Sequence, residues 1–208
     1  MYRCFIKRVF DIAIAIIGFP IFLLILMIIA PLIYFEDKGP IFYNADRLGK
    51  NGKIYKMFKF RSMKIIAPDI RNNDGSTYNS EDDPRLTRIG KFIRKTSIDE
   101  TPQIINILKN DMAIIGPRPD LPEHLNCYKG VEKRKLDVLP GITGYNQAYF
   151  RNSAEWKDRL KNDVFYVDNI TFWLDVKIFF KTIDSIVFKR GIYVDSQSSK
   201  AKGDSCDM

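Results

Sequence analysis

Cysteine and histidine are scarce in this chain of 208 residues. Its three cysteines lie far apart, at positions 4, 127 and 206, which argues against a disulfide framework and for a reducing compartment. The single histidine, His124, excludes a metal site built on two histidines and argues against a Ser–His–Asp triad. The sequence therefore points away from two common kinds of active site.

Acidic residues are outnumbered as well. Lys and Arg total 33 against 25 Asp and Glu, which gives a net charge of +8. A basic protein suits nucleic acid, an anionic membrane surface or phosphate-bearing substrates, and charge alone does not choose among them. The length is sufficient for one catalytic domain with a core and one membrane element.

One uncharged apolar segment, Ile12 to Phe35, dominates the N-terminal region. Its roughly 24 residues are enough to cross the hydrocarbon core of a bilayer at about 1.5 Å per residue. The segment is longer than the apolar region of a signal peptide and has no small-residue cleavage site, so we expect it to be retained.

The path of this segment through a membrane has two interpretations. Basic residues lie on both sides of it, which places both ends in the cytoplasm and favours a segment that enters and returns. Pro20 removes a backbone donor and clashes with the carbonyl of Ile16, so a kink is expected there. A kinked helix that spans the membrane is equally compatible with these residues.

Turn residues and hydrophobic periodicity predict a mixed α and β domain after this segment. Strands at 41–47 and 54–63 flank Asn51-Gly52, a strong hairpin signal. Alternation places Lys59 and Arg61 on one face of the second strand, as either a solvated surface or a cationic site. The remaining patterns predict a polar loop at 67–83, helices at 86–95 and 99–109, a buried strand at 112–115, helices at 153–167 and 172–188, and a disordered tail from 195. The last helix, which is aromatic and basic, either lies in a membrane interface or packs on the core.

The stretch from Arg94 to Gln103 is the most informative for chemistry. Ser97 with Glu100 has the spacing of a capping box, which alone would explain the acidic residues there. A helix N-terminus is also a natural phosphate site, and a carboxylate held near it can act as a covalent nucleophile toward phosphorus. Repulsion from an anionic diphosphate would then require a divalent cation and cationic side chains. The candidates for that second role are Lys59, Arg61, Arg94 and Arg118.

These residues resemble a known family, the bacterial sugar transferases, which are monotopic phosphoglycosyl transferases that begin glycan assembly on polyprenol phosphate. The resemblance covers about residues 7–180, and no single piece is decisive, but the ordered set is highly specific. The matching pieces are Lys7-Arg8-x-x-Asp11, Gly39-Pro40-x-Phe42, Arg47-x-Gly49, Lys59-Phe60-Arg61-Ser62-Met63, Thr87-Arg88-x-Gly90, Arg94-x-x-Ser97-x-Asp99-Glu100-x-Pro102-Gln103, Asp111-Met112-x-x-x-Gly116-Pro117-Arg118-Pro119 and Pro140-Gly141-Ile142-Thr143-Gly144.

The resemblance implies a mechanism. Asp99 would attack the β-phosphate of a UDP-sugar and release UMP, and polyprenol (undecaprenyl) phosphate would then attack the aspartyl phospho-sugar. Glu100 would be the dyad partner that assists the acceptor, and Mg²⁺ would bridge Asp99 and the diphosphate. Arg94 and Arg118 match family arginines that hold phosphate. Lys59 and Arg61 lie in a family motif and are further candidates to bind the substrate phosphates.

The resemblance also implies an architecture. The fold is expected to be α+β, with a helix-rich catalytic domain and a small β-hairpin at 39–194, interfacial amphipathic helices and a polar tail at 195–208. Residues 1–38 would form a re-entrant membrane helix that breaks at Pro20 and stays in one leaflet. The enzyme would lie on the cytoplasmic face of the bacterial inner membrane, in contact with its lipids, and would serve the first membrane step of glycoconjugate or polysaccharide assembly. No nucleic-acid partner is implied, and a homo-oligomer is left open.

Two rival functions are compatible with the same residues. One is a membrane-anchored, non-catalytic protein whose basic face binds anionic lipid or nucleic acid. The other is a glycosyltransferase that moves the sugar without its phosphate. The nucleotide product separates the three hypotheses: UMP for phospho-sugar transfer, UDP for glycosyl transfer, and neither for a binding protein.

Overall fold

The structure, a computed structural model, describes residues 2–68, 70, 80, 82–150 and 156–187. The predicted tail from 195 and most of the predicted loop at 67–83 lie outside this part of the chain. The elements that carry the argument are helices α1 (Lys7–Asp37), α2 (Arg88–Lys95), α3 (Gln103–Leu108), α4 (Tyr145–Tyr149), α5 (Trp156–Asp168) and α6 (Phe172–Val187), with strands β1 (Phe42–Leu48), β2 (Ile54–Phe60), β3 (Ala113–Ile115) and β4 (Gly141–Thr143). A π-helical turn, Tyr2–Ile6, precedes α1, and 3₁₀ turns lie at Lys50–Gly52, Ile98–Glu100, Pro122–Cys127 and Gly130–Asp137. Helices and small sheets alternate, so the α+β class is confirmed.

The predicted hairpin is confirmed. Strands β1 and β2 pair antiparallel, with Phe42 opposite Phe60 and Leu48 opposite Ile54. Asn51 and Gly52 both take positive φ, at 58° and 74°, which is the conformation that the Asn-Gly signal favours. The second strand ends at Phe60 rather than at residue 63, and beyond it Met63 forms an isolated antiparallel bridge with Leu86.

Helix α1 is 31 residues long, about 46 Å at 1.5 Å per residue, and it is long and apolar enough to cross a membrane. Only a narrow stripe of it is buried against the rest of the chain, at Ala15, Phe22, Ile29 and Ile33. Large apolar side chains elsewhere on it are exposed, such as Ile17 at 73% and Met27 at 66%. The helix continues through Pro20 without interruption, although a break was predicted there.

The domain grips α1 near both ends. At its start, Arg8 donates to the carbonyl of Met112 at 3.0 Å, and Asp11 accepts from the Ile114 amide at 3.0 Å. At its end, Asp37 pairs with Arg61. The two ends of one long apolar helix are therefore bonded to the same domain.

A parallel pair of short strands joins two glycine-containing segments. Strand β3, the predicted buried strand, pairs with β4. The backbones cross so closely that a Cβ on Gly141 would lie 2.1 Å from the amide nitrogen of Gly116. No side chain fits at that distance, so glycine is required. This crossing sets where the chain leaves β3 toward Arg118.

Helices α5 and α6, both predicted, pack through Tyr166, Val167 and Ile178, which are almost fully buried. On the opposite side of α6, Trp173 is 71% exposed and Phe180 is 65% exposed.

Candidate functional site

Asp99 and Glu100 lie on the 3₁₀ turn Ile98–Glu100, between α2 and α3. The predicted capping box is wrong, because Ser97 adopts a left-handed conformation (φ 57°) and its side chain caps nothing. The predicted helix from residue 99 is also too long, since α3 begins at Gln103. Pro102 has no amide hydrogen to continue a helical pattern through this point. The acidic pair is thus presented on a tight turn rather than in the first turn of a long helix.

Asp99 is buried, with 8% of its surface exposed, and it accepts no hydrogen bond from any described residue. Burial raises its pKa to about 6, and the charge of Glu100 adds to this, whereas Lys59, Arg94 and Arg118 lower it. An ionised carboxylate normally takes several donors when it is buried. Asp99 is therefore destabilised as an anion and free to bind something else.

Glu100 has the opposite character. Its Oε1 atom lies 2.6 Å from the Nζ atom of Lys59 and 4.0 Å from a guanidinium nitrogen of Arg118. Burial alone would raise the pKa of Glu100, but Lys59 and Arg118 hold it at about 2. Two adjacent carboxylates thus have well-separated pKa values, a pattern typical of sites that assign them different roles.

Asn106 holds the turn against strand β2. This residue of α3 is fully buried, and its amide accepts from the Phe58 N–H at 2.9 Å and donates to the Lys56 carbonyl at 2.7 Å. The side chain thereby bonds β2 on either side of Met57, much as a neighbouring strand would. Lys59, one residue beyond this clamp, is held in register with Glu100.

Arg94 comes from the last turn of α2, which ends just before the dyad. Its Nη1 atom is buried and has no hydrogen-bond partner among the described residues. It lowers the pKa of Asp99 more than Arg118 does, whereas Arg118 has the larger effect on Glu100. Both arginines therefore act electrostatically on the two carboxylates, Arg94 more on Asp99 and Arg118 more on Glu100.

Arg118 follows β3 in the segment Gly116-Pro117-Arg118-Pro119, where the prolines restrict the backbone. Two residues on, Asp120 accepts from Lys135 at 2.6 Å and from the Tyr128 hydroxyl at 2.6 Å. Lys135 also pairs with Asp163 at 2.8 Å. This buried network fixes the segment, while the Arg118 side chain stays 54% exposed at the mouth of the site.

Arg61 is placed elsewhere. Its guanidinium bonds the Asp37 carboxylate through both Nη atoms and also donates to the carbonyls of Pro40 and Met63. The side chain is 7% exposed. The structure brings Lys59, Arg94 and Arg118 to the dyad, but it commits Arg61 to the end of α1.

The sequence does not predict a role for two residues near Arg118. Arg47 belongs to a motif without an assigned role, and Tyr55 belongs to no predicted site. They lie opposite each other in the hairpin, and the Tyr55 hydroxyl is buried without a partner among the described residues. The Arg47-x-Gly49 motif is the only sequence signal that could have found them.

Shape does not locate the site. A depression of about 530 Å³ lies along α2, lined by Arg88, Lys91 and Lys95 among others. Neither Asp99 nor Glu100 lines it. The concentration of charge around the dyad, rather than cavity volume, marks the candidate site.

A metal ion would have few protein ligands here. No group of three or more His, Cys, Asp or Glu side chains converges within the ranges that the structure describes. Mg²⁺ is usually held by one or two carboxylates together with substrate phosphates and water. Asp99, which has no other partner, fits that mode, whereas Glu100 is already paired with Lys59.

The sequence is similar to those of known proteins. The profile of the bacterial sugar transferase family matches residues 2–189. The chain is 40% identical over 193 residues to the galactosyl transferase CpsE of Streptococcus agalactiae, covering 89% of this chain and 43% of the relative. It is 37% identical over 187 residues to the uncharacterized sugar transferase EpsL of Bacillus subtilis, covering 90% of each. It is 36% identical over 206 residues to the undecaprenyl-phosphate galactose phosphotransferase of Salmonella typhimurium, covering 91% of this chain and 42% of that one. The chain therefore spans less than half the length of two of these relatives and most of the third.

Proposed function

This chain belongs to the bacterial sugar transferase family, and on that basis we propose that it transfers a sugar 1-phosphate from a UDP-sugar to polyprenol (undecaprenyl) phosphate. The observation that carries the proposal is the state of Asp99. It is a buried carboxylate that accepts no hydrogen bond from any described residue, among three cations, and beside a second carboxylate that is firmly ionised. Such an arrangement suits a nucleophile toward an anionic phosphate.

The reaction has two displacements at one phosphorus atom. An oxygen of Asp99 attacks the β-phosphorus of the UDP-sugar, and the bond to the bridging oxygen breaks, so that its electron pair leaves with UMP. A phosphate oxygen of polyprenol phosphate then attacks the same phosphorus. The bond to Asp99 breaks, and the carboxylate is regenerated.

The cationic side chains and Mg²⁺ are assigned different roles. Arg94 lowers the pKa of Asp99, and its buried Nη1 atom has no hydrogen-bond partner among the described residues, so it is suited to the phosphoryl group under attack. Lys59 and Arg118 lower the pKa of Asp99, and at about 6 this pKa leaves most of the carboxyl ionised at neutral pH. Mg²⁺, when bound, would be held by Asp99 with diphosphate oxygens and would neutralise charge between the two anions.

Glu100 is assigned an electrostatic role. A carboxylate whose pKa is about 2 is a weak base, and a phosphate monoester with a second pKa of about 6 needs little help to lose its proton. Glu100 instead holds Lys59 in an ion pair. Its negative charge also raises the pKa of Asp99, so it favours states in which Asp99 carries less negative charge. This role replaces the expectation that it assists the acceptor directly.

We further propose that α1 is re-entrant and that the domain lies on the cytoplasmic face of the inner membrane, where it begins glycoconjugate or polysaccharide assembly. A helix that crosses a bilayer places its ends on opposite sides. Here Arg8 and Asp37, near the two ends, are bonded to one domain, which supports a path within one leaflet. The exposed Trp173 and Phe180 of α6 support contact with the membrane interface.

The test is an assay of the full chain in membranes with a panel of UDP-sugars and undecaprenyl phosphate, reading UMP and UDP separately. We expect UMP from at least one donor. Incubation without acceptor should leave a phospho-sugar on the peptide that contains Asp99, visible by mass spectrometry. Asp99→Asn should abolish both signals, and Asp46→Asn, an exposed carboxylate paired with Lys56, should keep both. Release of UDP, or a peptide that never carries the adduct, would contradict the proposal.

A further inference from the structure

A second group of polar side chains lies beside Arg118, on the Glu100 side of the dyad. Arg47 and Tyr55 face each other across the hairpin. The amide of Leu48 donates to the Asp120 carbonyl at 2.9 Å, which fastens the end of β1 to the segment that carries Arg118. Two strands and the Pro-Arg-Pro segment therefore bring these three side chains together.

The Tyr55 hydroxyl is the first sign of a missing ligand. Tyr55 is 8% exposed, and its hydroxyl oxygen is buried with no hydrogen-bond partner among the described residues. Its ring lies against Gly49, where a Cβ would be 3.1 Å from a ring carbon. A buried hydroxyl without a partner is costly, so such groups usually meet a ligand or water.

The second sign is uncompensated positive charge. Burial and the neighbouring charge of Arg118 both lower the pKa of Arg47. Arg47 makes no ion pair within the described ranges, and its hydrogen bond to the Asp46 carbonyl is long, at 3.4 Å. Asp120, the acidic group in electrostatic reach of Arg47, is already engaged by Lys135 and Tyr128. Among the described residues, the ion pair of Arg118 is the 4.0 Å contact with Glu100.

Resting on the function proposed above, we propose that Arg47, Tyr55 and Arg118 form one phosphate subsite that serves both half-reactions. It would hold the phosphate of UMP as it leaves, and then the phosphate of polyprenol phosphate as it arrives. Guanidinium groups match phosphate oxygens with paired donors, and the hydroxyl supplies a further one.

The shared use follows from the geometry of phosphoryl transfer. In each displacement the attacking and leaving oxygens lie roughly in line through the phosphorus. Asp99 occupies one end of that line in both steps, as nucleophile in the first and as leaving group in the second. The opposite end is therefore occupied by UMP in the first step and by polyprenol phosphate in the second.

Tyr55→Phe is the decisive variant, because it removes only the hydroxyl. We expect the KM for undecaprenyl phosphate and the inhibition constant of UMP to rise together, each about tenfold, as for the loss of one hydrogen bond to a charged group. The midpoint of thermal unfolding should stay the same or rise, since the hydroxyl has no hydrogen-bond partner among the described residues. A lower midpoint would show that the hydroxyl is structural and would overturn the assignment.

Arg47→Gln should raise both the KM for undecaprenyl phosphate and the inhibition constant of UMP by about tenfold or more. Arg134→Gln is the matched control, because it also removes one guanidinium, from an exposed pair with Asp168. The control should change neither constant. An equal effect in both variants would mean that net charge, rather than a subsite, is responsible.

Direct binding completes the test. UMP is titrated calorimetrically into the full chain in lipid nanoparticles, with and without undecaprenyl phosphate. One shared subsite requires competition between the two, and simultaneous binding would overturn it. If the wild type releases UMP from a UDP-sugar but Tyr55→Phe and Arg47→Gln leave both constants unchanged, only the subsite fails. If the wild type releases no UMP from any donor, the proposed function itself fails.

Discussion

The Nζ atom of Lys59 lies 2.6 Å from the carboxylate of Glu100, and this ion pair makes the two adjacent acids unequal. Glu100 is held ionised with a pKa of about 2, whereas the pKa of its neighbour Asp99 is raised to about 6 by burial. One side chain on the turn is permanently charged, and the other titrates close to neutral pH. The pairing predicts how catalysis and stability depend on pH.

Catalysis should fail on the acid side of neutrality. Asp99 is a nucleophile only when it is ionised, so the rate of adduct formation should fall about tenfold for each pH unit below its pKa of about 6. Single-turnover measurements from pH 5 to pH 8.5 would show this limb. A rate that stays constant down to pH 5 would contradict the assignment.

Lys59→Gln should move that limb to higher pH. Lys59 lowers the pKa of Asp99, so its removal raises that pKa, and a rise of about one unit reduces the rate about twofold at pH 7 and nearly tenfold at pH 5. Lys56→Gln is the control, since Lys56 lies on the same strand but pairs with the exposed Asp46. An unshifted limb in the Lys59 variant would show that the ion pair does not tune the nucleophile.

Asp99→Asn should be inactive and yet more stable at pH 8. The folded-state pKa of Asp99 is raised, so the ionised form costs stability above about pH 6, up to about 3 kcal/mol for a shift of roughly two units. The gain of the variant should therefore be full above pH 6 and disappear as the pH falls toward the unfolded value near 4. Thermal unfolding of both proteins at pH 4.5 and pH 8 would measure this. An equal gain at both values would point to packing rather than charge.

Arg61→Gln separates a structural role from a substrate role. It leaves Asp37 at the end of α1 without its partner, and breaking a largely buried pair costs about 3 kcal/mol. We expect a lower unfolding midpoint, with an unchanged KM for the UDP-sugar in the folded fraction. Lys64→Gln, an exposed cation three residues away, should change neither.

Arg61→Gln combined with Asp37→Asn provides a second check. Because the two residues share one interaction, the double variant should be more stable than the sum of the single losses implies. A raised KM without a loss of stability would restore the role in phosphate binding that the sequence first indicated.

Much of the site was visible in the sequence. The motif around Asp99 and the Lys59 and Arg118 motifs predicted residues that the fold does assemble, although their chemical roles stay proposals. The hairpin was predictable because Asn51 and Gly52 encode a local backbone conformation. Such signals depend on neighbours in the chain and need no knowledge of tertiary contacts.

Other features depend on distant contacts and left little trace. Ser97 has the sequence of a cap, but the chain must turn sharply there to present Asp99, and the left-handed backbone prevents capping. Arg61 alternates with its neighbours as a surface cation would, yet the end of α1 buries it. The orphan hydroxyl of Tyr55 is a property of three-dimensional surroundings, and no local pattern announces it.

The path of α1 can be tested by labelling. Single cysteines placed near Tyr2 and at Lys38, in a cysteine-free background, should both react with a membrane-impermeant reagent only after cells are opened. The reason is that both ends of the helix are tied to one domain. Reaction of the Tyr2 site in intact spheroplasts would show instead that α1 spans the membrane.

The attachment of both ends of α1 to the domain also determines how far Asp99 lies from the apolar helix. Phe22 and Ile29 of the apolar helix also pack in one cluster with Ile98, the neighbour of Asp99, so the helix and the acidic turn belong to one packed unit. In the membrane setting proposed above, an acceptor diffusing within the leaflet would meet the carboxylate at a single depth. Diffusion of the acceptor to the site would then be two-dimensional. Lipids whose phosphate lies at a different depth in the membrane would not reach Asp99, whatever contacts their headgroups could make with the site.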